Sequence, residues 1–338
     1  MLKENKFYIK KLKKVTFLGC YEKFESLIKI NKKLGLETEI ITSSSQSKMI
    51  PKNIKFKVFD TTKGDFQKHV KNTSQIENTL FFSIAARYIF KKDTISNFFK
   101  FNLVNLHETR LPLDAGGAVY SWNIMREDRI CNHTIHVINE EIDRGSIITS
   151  QKSLYPFSCK TPLDFKKVSE ERFLILYEKF IKKLCQGKEF EVSTQPKGLG
   201  RYNPRLSTLE NGWIDWNMDS YDLINFINAF DDPYAGASTF LNNKKSERLF
   251  IKKAQLHGGD SSNHPYMQGI ISRHDGEWIV VSTKGKHMLI IEEVLDKNSK
   301  NIISQLKPGD RFFTPFEKIE KAKSDRIFYS TKDSKSKQ

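Results

Sequence analysis

With 338 residues, 38% of them hydrophobic and 12% aromatic, the chain can form two domains that each bury a core, and its composition excludes a largely disordered protein. No apolar run approaches the roughly 18 residues needed to span a bilayer, and Met1-Leu2-Lys3-Glu4-Asn5-Lys6 lacks the apolar core of a signal peptide, so a cytoplasmic protein without membrane insertion is expected. The net charge of +16 comes from lysines spread along the chain, often in pairs such as Lys32-Lys33, Lys91-Lys92 and Lys182-Lys183, a pattern of solvated helix faces that admits anionic partners without selecting one.

Residues 1–14 are lysine-rich and read as an extension. Val15 to Gly19 is a short buried strand. Apolar residues at Phe24, Leu27, Ile28 and Leu34, closed by Gly35, then predict a helix. Glu37 to Thr42, Ile54 to Phe59, Leu80 to Ile84 and Leu103 to Leu106 are further strands. Strands alternating with helical segments predict an α/β, largely parallel sheet with helices on both faces. A lone Gly19 is too sparse for a dinucleotide fingerprint, since G-x-G-x-x-G is absent. Ile147 to Ser150 is another strand, and Leu163 to Leu184 an amphipathic helix stopped by Gly187. The polar stretch 191–212, broken by Pro196, Gly198, Gly200 and Pro204, reads as a linker. Beyond Trp213-Ile214-Asp215-Trp216 come a short helix over Tyr221–Phe230, strands at Ser238–Leu241 and Leu249–Ile251, and a hairpin of Trp278–Thr283 with Met288–Ile291. Together they predict a small barrel-like β-domain. The expected organisation is an extension (1–14), a catalytic domain (15–205), a C-terminal linker helix and small β-domain (206–316), and a charged, frayed tail (317–338). Cys20, Cys131, Cys159 and Cys185 lack CxxC spacing and fit free thiols.

Two short segments carry candidate chemistry. Leu103-Val104-Asn105-Leu106-His107 is an apolar run that ends in polar side chains, followed by Leu111-Pro112. Asp143 stands in Ile142-Asp143-Arg144-Gly145. An amide, an imidazole and a carboxylate together suit acyl transfer: the amide and ring N–H groups can donate to a developing oxyanion, while the carboxylate orients the ring or takes a proton. Either His107 or Asp143 could be the base. His133 and His136 fall on opposite faces of a presumed strand without cysteine or carboxylate partners at ligand spacing, so no metal is expected.

The stretch from about 79 to 152 resembles the formyltransferase family that uses 10-formyltetrahydrofolate, and the likeness extends more loosely from Val15 to about Pro315. Asn105, His107, Leu111-Pro112, the strand His133-Thr134-Ile135-His136-Val137 and the Asp143-Arg144-Gly145 loop each match a family element. Ile214-Asp215-Trp216 and Ala229 to Ala237 resemble the segment that joins the catalytic domain to a barrel in methionyl-tRNA and aminosugar formyltransferases. Glu108-Thr109-Arg110-Leu111-Pro112 replaces the common Pro-Ser-Leu-Leu-Pro, and Asp114 to Trp122 looks like the sugar-modifying branch.

The resemblance implies a Rossmann-like catalytic domain followed by a small, mostly β, barrel-like domain. It implies Asn105, His107 and Asp143 as catalytic residues and 10-formyltetrahydrofolate as formyl donor, without a metal. The folate would lie against the Leu80–Phe90 segment (Ser83, Ala85, Arg87, Ile89) and the Ile142–Gly145 backbone. The acceptor implied is a small molecule, a nucleotide-linked amino-deoxysugar, bordered by Arg110, Asp114, Gly116, Gly117, Tyr120 and Trp122. Its product would serve a surface polysaccharide such as O-antigen or capsule. A homodimer is compatible with this reading, and nucleic acid is not the expected partner. The nearest rival is methionyl-tRNA formyltransferase. A protein binding RNA through its β-domain is disfavoured, because aromatics such as Trp278 and Phe312 are few and do not interleave with basic residues.

Overall fold

The apolar strands of the first half assemble into one seven-stranded sheet. The chain is described from a computed structural model over residues 2–3, 5–59, 76–99, 102–242, 244, 247–260, 264–329 and 335–337. The strands are β1 (Lys14–Gly19), β2 (Glu37–Ser43), β3 (Lys57–Phe59), β4 (Thr79–Ile84), β5 (Leu103–His107), β7 (Ile130–Val137) and β8 (Ile147–Leu154). Their spatial order is β8-β7-β5-β4-β1-β2-β3. Pairings from β5 through β3 are parallel, whereas β7 and β8 are antiparallel additions at one edge. The order reverses direction beside β1, as in doubly wound folds. The expected α/β sheet is therefore present.

One face of this sheet is closed by α1 (Phe24–Lys33) and α3 (Pro162–Cys185), with Phe17, Phe82, Phe173, Tyr177 and Phe180 packed between. Thr161 and Asp164 form a reciprocal capping box at the start of α3, and Pro162 occupies its first turn, which fixes where the helix begins. Tyr177 donates to Asn31 Oδ1 (2.7 Å), tying the two helices. Leu18, Ile41, Phe81, Phe99 and Leu103 form a smaller core on the opposite face.

Phe7, Ile9 and Leu12, within the stretch expected to be an extension, are buried in the main core, and the short strand Lys6–Phe7 pairs with Phe190–Glu191. Their burial outweighs the lysines around them, which point outward.

The second half forms a six-stranded antiparallel sheet from β10 (Ala237–Leu241), β11 (Leu249–His257), β12 (Ile271–His274), β13 (Ile279–Val281), β14 (Met288–Leu295) and β15 (Phe312–Phe313), ordered β12-β13-β14-β11-β10-β15. Backbone bonds Ile271 N to Asp310 O and Phe312 N to Gly269 O, both 2.8 Å, join the outer strands and close the sheet into a small barrel. The predicted hairpin is the β13–β14 pair. Helix α4 (Ser220–Ala229) packs against this barrel, and Leu223, Ile227 and Phe230 share one core with Ile251, Ile279 and Leu289. That core also takes in Ile124 of α2 (Val119–Met125), Cys131 and Phe165, so it continues into the first half. Helix α5 (Phe316–Ser324) follows with Ile319 and Ala322 buried, an ordered element within the tail expected to fray, part of which (330–334 and 338) lies outside the described residues. Among the described residues, no helix is long and apolar enough to cross a membrane.

Candidate active site

Alternation along β5 decides the site. Val104 and Leu106 face the main core, so Asn105 and His107 share the opposite face. Ladder register then sets a transverse row: Ser83 of β4 is opposite Asn105, and Asn105 is opposite His136 of β7. On the other side of Ser83 the row continues through Leu18 and Ile41, so it is apolar at one end and polar at the other. His133, of opposite parity, faces α3 instead, with Nε2 2.8 Å from Ser169 Oγ.

The three expected catalytic side chains meet here. Asn105 Nδ2 lies 3.2 Å from His136 Nε2. His107 is 7% exposed, with Nδ1 3.6 Å from Asp143 Oδ1 and Nε2 3.1 Å from the Asp114 carbonyl. A carbonyl oxygen only accepts, so His107 Nε2 carries the hydrogen and Nδ1 faces the carboxylate. His136 Nε2 is 3.9 Å from the same Asp143 oxygen. Burial lowers the His136 pKa to about 4 against the opposing pull of Asp143, and the nearby His107 adds to the lowering.

Asp143 is carried on a strained turn. Its φ is 56°, in the left-handed region that Asp tolerates better than most residues. Three contacts hold it: Gly116 N donates to its Oδ2 (3.2 Å), and Gln195 Nε2 donates to its main-chain carbonyl (2.9 Å) and to that of Gly145 (2.7 Å). A Cβ added at Gly145 would stand 1.6 Å from the Val137 carbonyl, so the return of this loop onto the sheet edge requires glycine.

The 109–118 loop closes the other side. The Thr109 carbonyl accepts from Asn132 Nδ2 (2.7 Å) and Thr134 Oγ1 (2.9 Å), while the Thr109 hydroxyl donates to the Asp114 carbonyl. Asp114 is buried among arginines: Arg201 Nε donates to it (2.6 Å), as does Arg110 Nε (3.3 Å), and Arg126 lies 3.9 Å away. Burial pushes the Asp114 carboxyl up, but Arg201, Arg110 and Arg126 together hold it below the ordinary range. Arg110 also pairs with Asp128. The strand β6 (Asp114–Gly116) runs parallel to β9 (Arg201–Asn203), so the stretch expected to be a linker forms a wall of the site.

Tyr120 and Trp122, expected beside the acceptor, have their polar atoms engaged elsewhere. Tyr120 donates to Glu108 Oε1 (2.7 Å), which also accepts from Ser169 Oγ (2.8 Å), and Trp122 Nε1 donates to the Pro204 carbonyl (2.8 Å). Gly117 abuts Arg205.

On the opposite flank, Ser83 is buried in the polar row. Ala85 has φ 47°, and Gln46 clamps the segment, donating to the Ala85 carbonyl (2.9 Å) and accepting from Arg87 N (3.1 Å). Ile89 is half-buried, whereas Ile142 is 54% exposed immediately before Asp143. Gln46, Gln195, Arg201 and Asn203 were not legible in the sequence as site residues. Among the described residues, no cluster of three His, Cys, Asp or Glu side chains could hold a metal ion.

Residues 207–307 match the formyl transferase C-terminal domain family. Methionyl-tRNA formyltransferase of Malacoplasma penetrans (strain HF-2) is 26% identical over 280 residues, covering 83% of this chain and 83% of that protein. Among solved structures, WlaRD, a sugar 3N-formyl transferase crystallised in the presence of dTDP and 5-N-formyl-THF, is similar with a TM-score of 0.59, 17% identity, and coverage of 86% of this chain and 99% of that one. The N-formyltransferase of Helicobacter canadensis in complex with folinic acid and dTDP-3-aminofucose gives a TM-score of 0.61, 18% identity, and coverage of 83% and 99%. At these identities the two solved structures bear on the fold.

Proposed function

We propose that this chain, which belongs to the formyltransferase family, moves a formyl group from 10-formyltetrahydrofolate to the amine of a nucleotide-linked amino-deoxysugar, with Asn105, His107 and Asp143 as its catalytic residues. The observation that carries the chemistry is the meeting of these three side chains beside the β6 loop, where Asp143 is bonded to Gly116 N and lies 3.6 Å from His107 Nδ1. Asn105 has one amide hydrogen directed at His136 and a second left for the negative charge that grows on the formyl oxygen. One such donor lowers a barrier by roughly 3 kcal/mol. His107, its Nε2–H committed to Asp114, and the Asp143 carboxylate face each other as the pair that takes the amine proton.

The residues present fit a folate. Ile142 offers exposed apolar surface next to Asp143, Ile89 is half-buried, and the 83–87 and 142–145 backbones are held in place by Gln46 and Gln195 as two edges for a flat ring. When bound, the folate supplies the activated formyl group.

The acceptor reading rests on the loop from Glu108 to Trp122. In place of an apolar turn it carries Arg110 and Asp114, tied to each other and, through Arg201, to β9, a charged wall suited to a polar small substrate. The nucleotides and folates in the two similar solved structures support it. Sequence similarity to the Malacoplasma penetrans enzyme favours charged tRNA as the second reading. Incubation with 10-formyltetrahydrofolate and a panel of dTDP-, UDP- and GDP-linked aminosugars, alongside methionyl-tRNA, tests both: the expected result is a mass gain of one formyl group on an aminosugar only. Replacing His107 with Ala is expected to lower turnover roughly 100-fold, and full activity in that variant would remove the site assignment.

A further inference from the structure

We infer that His136 is a positioning residue for formyl transfer, presenting a ring lone pair that fixes the Asn105 amide with its nitrogen toward the reacting oxygen. This rests on the proposed role of Asn105. His136 is 2% exposed and sits directly opposite Asn105 in the β5–β7 ladder. Its Nδ1 is 2.9 Å from the Val137 carbonyl, which can only accept, so Nδ1 carries a hydrogen. In the neutral ring Nε2 is then an acceptor, and the atom 3.2 Å from it must be a donor: the Asn105 nitrogen, not its oxygen. A flipped amide would set two lone pairs against each other. One N–H of Asn105 is thereby consumed and the other is held in a defined direction.

The neutral ring is maintained by its surroundings. The charged or titratable groups facing it are Asp143, with Oδ1 3.9 Å from Nε2, and His107, whose ring centroid lies 6.4 Å away edge-on. Burial outweighs the attraction of Asp143 for an imidazolium and keeps the ring's pKa near 4. A protonated Nε2 would repel the Asn105 N–H and release the amide, so the arrangement works only with an uncharged histidine. His136 touches neither donor nor acceptor amine in this arrangement; it acts through Asn105.

The test compares His136→Leu, which cannot accept a hydrogen bond, with His136→Gln, whose carbonyl can. In the full-length protein with 10-formyltetrahydrofolate and the acceptor that gains formyl in the panel above, His136→Leu is expected to lower kcat about 10- to 100-fold with the donor KM within about two-fold, and His136→Gln to recover most of that loss. In an Asn105→Ala background, His136→Leu should add no further loss, since the group it orients is gone. Multiplying losses would mark a merely structural role and overturn the inference, as would full activity in His136→Leu. If Asn105→Ala itself were fully active, the reading of the site would fail instead. A readout independent of any acceptor is the ring ¹⁵N signature of the wild-type protein. The Nδ1–H tautomer is expected from pH 6 to 8, its signals assigned by their loss in His136→Gln, and an Nε2–H or protonated ring in that range would also overturn the inference.

Discussion

Gln195 holds Asp143 by its main chain, at 2.9 Å, and the same amide nitrogen reaches the Gly145 carbonyl at 2.7 Å. A residue between the two halves of the chain therefore fixes the left-handed turn that aims the candidate carboxylate. Gln195→Glu keeps the shape but removes both donors and places a carboxyl against two carbonyls. A fall of about 10-fold in kcat/KM is expected, with a lower Tm from roughly 1–2 kcal/mol of lost hydrogen bonding. Steady-state kinetics and thermal unfolding check this; wild-type activity in Gln195→Glu would show that Asp143 keeps its turn unaided.

The pH dependence of stability follows from two histidines buried as neutral rings. His136 has its pKa lowered to about 4, chiefly by burial, and His133 is lowered for the same leading reason. The unfolded chain takes up these protons through about pH 6.5, so the folded state loses stability as pH falls below that value and regains it above. For His136 the loss runs from about pH 6.5 down to about 4, where the folded ring also takes up its proton. Asp114, held below its ordinary range, adds its own loss only at still lower pH. Urea unfolding at pH 7.0, 5.5 and 4.5 should show midpoints falling in that order, with a shallower fall in His136→Gln. A flat profile would mean that His136 is charged or exposed.

How much of this was readable in advance depended on whether a pattern of period two or 3.6 carried it. In β5 the apolar run ending in polar side chains marked Asn105 and His107, and the structure shows that they share the face opposite Val104 and Leu106. Asp143 had no such signal; only the likeness of its loop to a known family singled it out. Gln195, Arg201 and Asn203 were hidden because the 191–212 stretch has no periodicity, and its pairing with β6 is a tertiary choice. Phe7, Ile9 and Leu12 were masked by neighbouring lysines in a run too short for a pattern. Tyr120 was legible as a polar aromatic near the loop, but the Glu108 carboxylate that captures its hydroxyl could not be paired with it from sequence.

Gly116 is a close approach of the loop to β9. Its φ is 103°, and an added Cβ would lie 2.1 Å from the Asn203 carbonyl, while at Gly117 the nearest atoms belong to the Arg205 side chain at 3.4 Å. Gly116→Ala must therefore both strain the backbone and push β9 away, at roughly 1–3 kcal/mol. The acceptor KM should rise while the donor KM holds, because the displaced wall borders the proposed acceptor side. Gly117→Ala is the control and should fold normally. Equal effects on both substrates would mean that β9 borders the folate as well.

The acceptor class is where the two enzyme readings part, and salt separates them without any mutation. The basic charge of +16 is spread along the chain, and several arginines near the site are already paired with Asp114 and Asp128. A nucleotide diphosphate presents few charges and releases few counterions, so kcat/KM for an aminosugar nucleotide should fall only modestly, within about ten-fold, between 50 and 200 mM salt. Recognition of tRNA through many phosphates would weaken by orders of magnitude over the same interval. Initial rates across that range with each acceptor are the measurement. Formylation of charged initiator tRNA with a steep salt slope, and none of any aminosugar nucleotide, would move the enzyme to the other branch and leave the proposed roles of Asn105, His107 and Asp143 unchanged.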